Sequence, residues 1–268
     1  MSPTKKEVPT KKKPPTTKQL AAMVTEIQTR LAEHGDPAIV KKYAYYFKEG
    51  YDAYGLPTGV FEKIREELFA KYSEELDFSG FLDLADILIR HPKYEEGSLA
   101  ITWLMKFRKE FTAETFERVG KWFDDGVRNW AHSDYLCGDT MSYFLLDGVI
   151  DYRAFKEWRT MESKWRRRAV PVSLLIYLRD NAETRKKADV LKVGTLTKLL
   201  AFVEPLMKDQ ERVVHQGLGW FLREAWKRDP EPVEAFLLKY KDTAARLIFQ
   251  YATEKMSKEQ KERFRKSK

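Results

Sequence analysis

The sequence predicts an all-α protein, and three observations support that prediction. Apolar residues recur at intervals of three and four along most of the chain, which is the spacing of one buried helix face. No convincing period of two, typical of a half-buried strand, interrupts this pattern. Gly and Pro lie mostly between the apolar segments, for example at Gly50, Pro92, Gly148 and Pro230. The connections are therefore short, and neighbouring helices are expected to pair antiparallel.

The helices follow one another with recognisable start and stop signals. Thr16 and Gln19 form a capping box before a first helix, and Gly35 ends that helix. Asp36 then caps a second helix with Pro37 at its first position. The first helix should bury Leu20, Met23, Ile27 and Leu31.

Later segments repeat the helical spacing, in the order LPTGVFEKIREELFAKY, DFSGFLDLADILIRH, EEGSLAITWLMKF, TAETFERVGKWF and GTLTKLLAFVEPLM. The clearest apolar set is Leu196, Leu199, Leu200, Val203, Leu206 and Met207. Successive helical hairpins stack most simply into an α-solenoid of HEAT-like type, with a concave face wide enough for duplex DNA. A globular helical bundle is the alternative.

Charge divides the chain into a body and two basic tails. Residues 1–18 contain six Lys and one Glu, and residues 255–268 contain seven Lys or Arg and two Glu. The prediction is a disordered basic tail over 1–15, a single helical-repeat domain over 16–256 and a basic tail over 257–268.

Composition excludes several classes of protein. A single cysteine, Cys137, forms no internal disulfide, and no Cys or His spacing is typical of a zinc site. No stretch has the roughly 18 uncharged apolar residues that a membrane span needs. We therefore expect a soluble cytoplasmic protein, a monomer with no metal, no cofactor and no membrane partner.

A positive band lies within the body. Residues 151–200 contain 13 basic and six acidic residues, whereas residues 19–150 contain 15 basic and 23 acidic residues. Local positive charge of this kind suggests a surface for a polyanion such as nucleic acid, with a solvated charged face as the alternative. The side chains expected to contact DNA are Lys164, Arg166, Arg167, Arg168, Arg185, Lys186 and Lys187.

Three short motifs stand out from the helical pattern. In NWAHSDYLCGD, Trp130 and Asp134 are four apart and share one helix face. His132 and Cys137 are five apart, which is a poor spacing for a nucleophile and its base. A core aromatic and a helix cap are the structural alternatives for Trp130 and Asp134.

The second motif is SKWRRRAV, and the third is GLGWFLREAWKRDP. Arg166, Arg167 and Arg168 leave a helix about 100° apart, so at most two can face one ligand. They form either a phosphate clamp or a solvated turn. Gly217 and Gly219 inside a helical stretch indicate close packing or a need for room beside Trp220.

Together and in this order, NWAHSD, WRRRAV and GLGWFLREAWKRDP resemble the DNA alkylation repair family of HEAT-like DNA glycosylases. The resemblance extends from about Leu20 to Lys255. It implies that Trp130, Asp134, Arg168 and Trp220 are the functional residues. The residues between Trp130 and Asp134 differ from those of the best-studied branch, which also lacks the basic tail.

The resemblance implies hydrolysis of the N-glycosidic bond of purines alkylated at N3 or N7 in duplex DNA. Such a base is cationic and leaves readily, so a carboxylate that stabilises the sugar and places a water is sufficient, and Asp134 is the candidate. Trp130 and Trp220 would hold the sugar and the cationic base, and Arg168 would grip a backbone phosphate. A non-catalytic protein that binds damaged or branched DNA and a helical scaffold are the alternatives.

Overall fold

A computed structural model describes residues 12–178 and 195–267, and throughout these ranges the chain is helical without β-strands. The prediction of an all-α protein is confirmed. The chain divides into two compact units, Met1–Glu110 and Phe111–Lys268. The expectation of a single domain over 16–256 stays a prediction.

The described part of the first unit, from residue 12 onward, contains five α-helices. They are α1 Thr17–Ala32, α2 Pro37–Ala44, α3 Thr58–Tyr72, α4 Phe78–Leu88 and α5 Tyr94–Met105, followed by a 3₁₀ turn at Arg108–Glu110. The predicted capping box is present, because Thr16 Oγ1 accepts the Gln19 amide at 3.2 Å and Gln19 Oε1 accepts the Thr16 amide at 2.9 Å. Asp36 caps α2 through the Ala38 amide at 2.7 Å.

The four apolar residues predicted for the first helix are all buried in α1. The helix α1 packs against α3, α4 and α5. Trp103 of α5 is fully buried and meets Tyr72 of α3 edge-on, with ring centroids 6.1 Å apart. The turn before α3 is held by a buried carboxylate, since Glu95 accepts the amides of Tyr54 at 2.9 Å and Gly55 at 2.8 Å. Gly55 has φ +83°, and a Cβ there would lie 2.3 Å from the Asp36 carbonyl oxygen.

The second unit contains ten described α-helices. They are α6 Ala113–Gly120, α7 Trp122–Asp125, α8 Trp130–Leu136, α9 Ser142–Leu146, α10 Lys164–Ser173, α11 Thr195–Val203, α12 Arg212–Arg228, α13 Pro230–Tyr240, α14 Arg246–Ala252 and α15 Lys258–Glu262. A π-helical turn, Cys137–Met141, joins α8 to α9. The described part of the unit also contains four 3₁₀ segments, at Tyr152–Phe155, Glu157–Thr160, Leu174–Leu178 and Glu204–Lys208.

Two parts form the core of this unit. The rings of Phe116 and Trp158 stack at 5.3 Å with 10° between their planes, and Phe155 meets both rings edge-on. The other part surrounds α12, whose one face packs against α10 and whose opposite side packs against α14. All six apolar residues of the clearest predicted set, from Leu196 to Met207, are buried.

Residues 257–267, which belong to the predicted basic C-terminal tail, are folded onto the second unit. Ser257 caps α15 through the Gln260 amide, and Phe264 is 1% exposed. Its carbonyl accepts Arg246 Nη1 at 2.8 Å, and the Ser267 amide donates to Asp242 Oδ1 at 2.6 Å. The buried ring of Phe264 and these hydrogen bonds hold the segment in place, although most of its residues are polar.

The inner end of the predicted N-terminal tail contacts the first unit. Lys12 Nζ donates to the carbonyls of Ser73 and, at 3.3 Å, Leu76, and Pro15 lies next to Gly80. Residues 12–15 are therefore in contact with the first unit, and residues 1–11 lie outside the described residues.

We expect Phe264→Ala to lower the free energy of unfolding by about 3 kcal/mol, because it leaves a cavity where a fully buried ring now packs. Urea denaturation followed by far-UV circular dichroism measures this change. The exposed Lys266 is a matched control in the same segment, and Lys266→Ala should leave the midpoint unchanged. Equal effects of the two substitutions would contradict a folded C-terminal segment.

Candidate active site

Trp130 and Asp134 lie on one face of α8, as their spacing predicts. Asn129 caps this helix by accepting the His132 amide at 2.9 Å, so the helix begins at Trp130 and Asp134 is inside it. Trp130 is 40% exposed and is therefore not a core aromatic. The Asp134 side chain is 19% exposed. A large ring and a carboxylate thus reach the surface one helical turn apart.

Arg168 holds the Asp134 carboxylate with both arms of its guanidinium group. Nε donates to Oδ1 and Nη2 donates to Oδ2, each at 2.8 Å, which is the bidentate geometry that only arginine provides. Nη1 donates to the Val213 carbonyl at 2.5 Å. A single buried side chain of α10 therefore connects α8 to the first turn of α12.

The resemblance implies that Arg168 grips a backbone phosphate, and in the structure this side chain faces inward. It is only 6% exposed, and its fork is occupied by Asp134. A largely buried carboxylate is costly without a partner, which favours this inward orientation of the arginine. Contact of Arg168 with a phosphate stays a prediction.

The two preceding arginines also bind carboxylates within the unit. Arg166 Nε donates to Asp124 Oδ1 at 2.8 Å, and its guanidinium lies 4.7 Å from the centre of the Trp158 ring. Arg167 Nε donates to Asp209 Oδ2 at 2.6 Å. Each arginine thus faces a different element, as the 100° step between consecutive helical residues requires.

Contact of Arg166 and Arg167 with DNA stays a prediction, and in this structure both side chains are engaged within the unit. Arg166 is buried, and Arg167 also donates to the carbonyls of Met161 and Glu162, both at 2.7 Å. DNA contact by the half-buried Lys164, whose Nζ lies 5.5 Å from the centre of the Trp165 ring, stays a prediction. The other expected contacts, Arg185, Lys186 and Lys187, lie outside the described residues.

The two glycines of the third motif allow α12 to pack closely on both sides. A Cβ at Gly217 would lie 3.1 Å from Cγ of Arg168, and a Cβ at Gly219 would lie 2.5 Å from Cβ of Tyr251. The prediction of close packing is confirmed. Gly217 also gives Arg168 the space in which it reaches the Val213 carbonyl.

Trp220 follows Gly217 by three residues on α12 and is half-buried. Residues three and four apart share a helix face, so Val213, Gly217 and Trp220 form one row along α12. Arg168 touches the first two members of that row, and Trp220 lies one turn beyond them. Trp220 therefore lies on the same face of α12 as the residues that contact Arg168, the side chain that binds Asp134.

The His and Cys residues of the motifs have structural positions. Cys137 is fully buried, and this burial, with a smaller effect of the nearby Asp134 carboxylate, raises the pKa of its thiol to about 12. His215 Nε2 lies 2.6 Å from the Asp209 carbonyl, and His132 is buried behind the Asn129 cap. A cysteine nucleophile is incompatible with a thiol that stays protonated and buried.

Sequence reasoning missed the acidic partners of the arginines. Each of the three arginines pairs with an aspartate that is 34 to 42 positions away in the sequence. No local spacing signals such pairs. The single available signal was the run of three arginines entering an apolar helix, which requires buried counter-charges.

Residues 12–178 and 195–267 contain no group of three or more His, Cys, Asp or Glu side chains that could hold a metal ion. In the same ranges no helix has both the length and the apolar character needed to cross a membrane.

Comparisons with known proteins give a family match and a shared fold. Residues 27–256 match the family model described as DNA alkylation repair enzyme. A solved structure, a predicted DNA alkylation repair enzyme from Enterococcus faecalis, superposes with a TM-score of 0.65 at 16% sequence identity. The match covers 84% of this chain and 98% of that one, and it shows a shared fold. No curated protein matches the sequence.

We expect Arg168→Met to destabilise the protein by about 3 kcal/mol, because it leaves a largely buried carboxylate without its cation. Combining it with Asp134→Asn should recover part of this loss, since the uncompensated charge is then gone. Urea denaturation of the two single variants and the double variant measures the coupling. Arg153 and Asp151 form an exposed pair of the same kind, and Arg153→Met should leave the midpoint unchanged. Additive effects at Arg168 and Asp134 would refute the coupling.

We expect the Cys137 thiol to be unreactive towards a disulfide reagent at pH 8 in the native state and to react on unfolding. Its folded pKa lies above the ordinary value of 9.0. The folded state therefore retains a proton that the unfolded state releases, and stability should fall as pH rises from about 9 towards 12. Reagent titration with and without urea tests the first part, and denaturation at pH 8 and pH 10 tests the second. Rapid native labelling would contradict this account.

Proposed function

Because the chain belongs to the family of DNA alkylation repair enzymes, we propose that it is a DNA glycosylase for alkylated purines. A role in DNA repair follows from the family. The finer proposal is hydrolysis of the N-glycosidic bond of N3- or N7-alkylated purines in duplex DNA, with Asp134 as the catalytic carboxylate. The observation that supports it best is the carboxylate of Asp134, held at both oxygens by Arg168 beside the exposed ring of Trp130.

The substrate's own charge explains why so few catalytic groups are needed. A purine alkylated at N3 or N7 carries a positive charge, and departure of the base neutralises it. No side chain therefore has to protonate the leaving group, and the positive charge that develops on the sugar becomes the main barrier. A fixed carboxylate lowers that barrier because it faces the charge as the charge forms.

Asp134 has the geometry for this task. Arg168 occupies one lone pair on each carboxylate oxygen, and each oxygen retains a further acceptor position. Those positions can orient a water molecule and face the sugar. Since the guanidinium restrains the carboxylate through two bonds, little reorganisation is needed when the sugar becomes cationic.

The two tryptophans provide surfaces that attract cations. The face of an indole ring stabilises a nearby cation by about 0.5 to 2 kcal/mol. Trp130 lies one helical turn from Asp134, and Trp220 lies on the face of α12 that contacts Arg168. We assign the sugar and the cationic base to these two rings. Arg168 acts on the reaction through Asp134, as a positioning residue.

Base release from methylated duplex DNA tests the proposal. The purified protein should release 3-methyladenine or 7-methylguanine, and Asp134→Asn should reduce that release by about 100-fold or more, because a neutral amide does not stabilise the sugar cation. Chromatography of the free bases measures release, and fluorescence anisotropy measures duplex binding. Duplex affinity should remain within about threefold, since the substitution removes one negative charge from a large surface.

Asp151→Asn is the matched control, because it makes the same chemical change at an exposed carboxylate of the same unit. It should leave base release unchanged. If neither base is released by the unsubstituted protein above background, the glycosylase proposal is wrong. Salt-sensitive binding of damaged duplex without release would then identify a non-catalytic DNA-binding protein.

A further inference from the structure

The short helix α2 and the turn after it form an unusual surface on the first unit. α2 buries none of its residues, although it is part of a compact unit. Six exposed side chains follow one another within eight positions, and we call them the α2 surface: Lys41, Lys42, Tyr43, Tyr45, Tyr46 and Lys48. Neither the site around Asp134 nor the motifs of the sequence include any of them.

The tyrosines of this surface are exposed to an extent that folding does not explain. Tyr45 is 86% exposed, Tyr46 is 60% exposed and Tyr43 is 40% exposed. Among the described residues, the remaining large apolar side chains with comparable exposure are isolated ones. Grouped exposed rings cost solvation free energy and are typical of a binding surface.

The segment that presents these rings is ordered. Phe47 turns inward and stacks on Tyr51, with ring centroids 4.5 Å apart and 16° between the planes. Tyr94 of α5 meets the Phe47 ring at 5.8 Å. The Tyr46 amide donates to the Tyr43 carbonyl at 2.9 Å, which closes the turn. The exposed tyrosines are therefore held by a fixed backbone and lose little freedom on binding.

The charged side chains of the α2 surface are all lysines. Residues 37–48 include three lysines and no acidic residue. Lys41 and Lys48 form no ion pair with any described residue, and Lys42 Nζ lies 5.4 Å from the centre of the Tyr43 ring. Aromatic faces combined with unneutralised lysines are complementary to a ligand that has flat rings and negative charges.

We propose that the α2 surface binds unpaired bases and phosphates of single-stranded DNA. Stacking on aromatic side chains needs a base whose face is uncovered, and in an intact duplex both faces of each base are covered by its neighbours. Tyr45 and Tyr46 lie at 83° to each other with centroids 5.6 Å apart, so only one of them stacks on a given base while the other meets its edge. The lysines pair with the adjoining phosphates.

An anionic membrane is the other partner with negative charge, and the chemistry favours DNA. Interfacial helices bury an apolar face of Leu, Phe or Trp, whereas the rings here are phenols beside lysines. The choice of DNA rests on the family's role in DNA repair and does not depend on the chemistry at Asp134.

Binding of the full-length protein to two labelled oligonucleotides tests the proposal. The probes are single-stranded oligothymidylate and an unmodified duplex of equal length, and anisotropy gives each affinity. The variant Tyr45→Ser/Tyr46→Ser should lose at least about 10-fold in affinity for the single strand, because stacking contributes about 1 to 3 kcal/mol per base. Its duplex affinity should stay within about threefold.

Two further variants separate stacking from charge and from general surface effects. Lys41→Gln/Lys42→Gln/Lys48→Gln should reduce the salt dependence of single-strand binding by about two units of slope, at about 0.7 per phosphate. Leu238→Ser, at an exposed apolar position of the second unit, should change neither affinity. Circular dichroism confirms that each variant is folded.

Single-strand affinity that is unchanged in the tyrosine variant would overturn the proposal, and so would equal losses for single strand and duplex. Binding to phosphatidylserine vesicles without DNA binding would assign the surface to a membrane instead. Base release from methylated duplex is measured in parallel with the unsubstituted protein. Its absence contradicts the glycosylase proposal alone, because the α2 surface is judged only by binding to unmodified oligonucleotides.

Discussion

The bidentate pair of Arg168 with Asp134 is the constraint on which the second unit depends. A carboxylate at 19% exposure is costly unless a cation compensates it, and the cation here comes from a helix 34 residues further along the chain. The same side chain packs closely against Gly217 of α12, where a Cβ would lie 3.1 Å from Cγ of Arg168. One arginine therefore links α8, α10 and α12 and also orients the carboxylate of Asp134.

The neighbouring arginines extend this solution along α10. Arg166 and Arg167 bind Asp124 and Asp209, which lie on opposite sides of the motif in sequence. Buried ion pairs stabilise a fold weakly in net terms but penalise alternatives in which a charge loses its partner. Three arginines of α10 pair with carboxylates of different elements, and together these pairs favour one rotation of the helix about its axis. In that rotation Arg168 points towards Asp134. The pairs of Arg166 and Arg167 thus help to orient Arg168.

The two units differ in how they would meet DNA. In the second unit Arg166, Arg167 and Arg168 are each paired with a carboxylate, and the ring of Trp130 is 40% exposed. In the first unit the lysines of the α2 surface lie next to exposed phenol rings. Chemistry on a cation requires a carboxylate that is not surrounded by free lysines, whereas affinity for a polyanion requires them. The two requirements conflict, and the carboxylate of Asp134 and the lysines of the α2 surface belong to different units.

The helical class, the caps at Thr16 and Asp36 and the shared face of Trp130 and Asp134 could be predicted from the sequence alone, because these features depend on neighbours within four residues. A resemblance of motifs points to Arg168 and Trp220, whose roles stay predictions. The charge of the segment after Ser257 is read from composition, whereas its fold depends on the burial of one ring, Phe264. The pairing of Arg168 with Asp134 is seen in the tertiary structure alone, because a partner 34 residues away is selected by packing and by the cost of a largely buried charge without a partner.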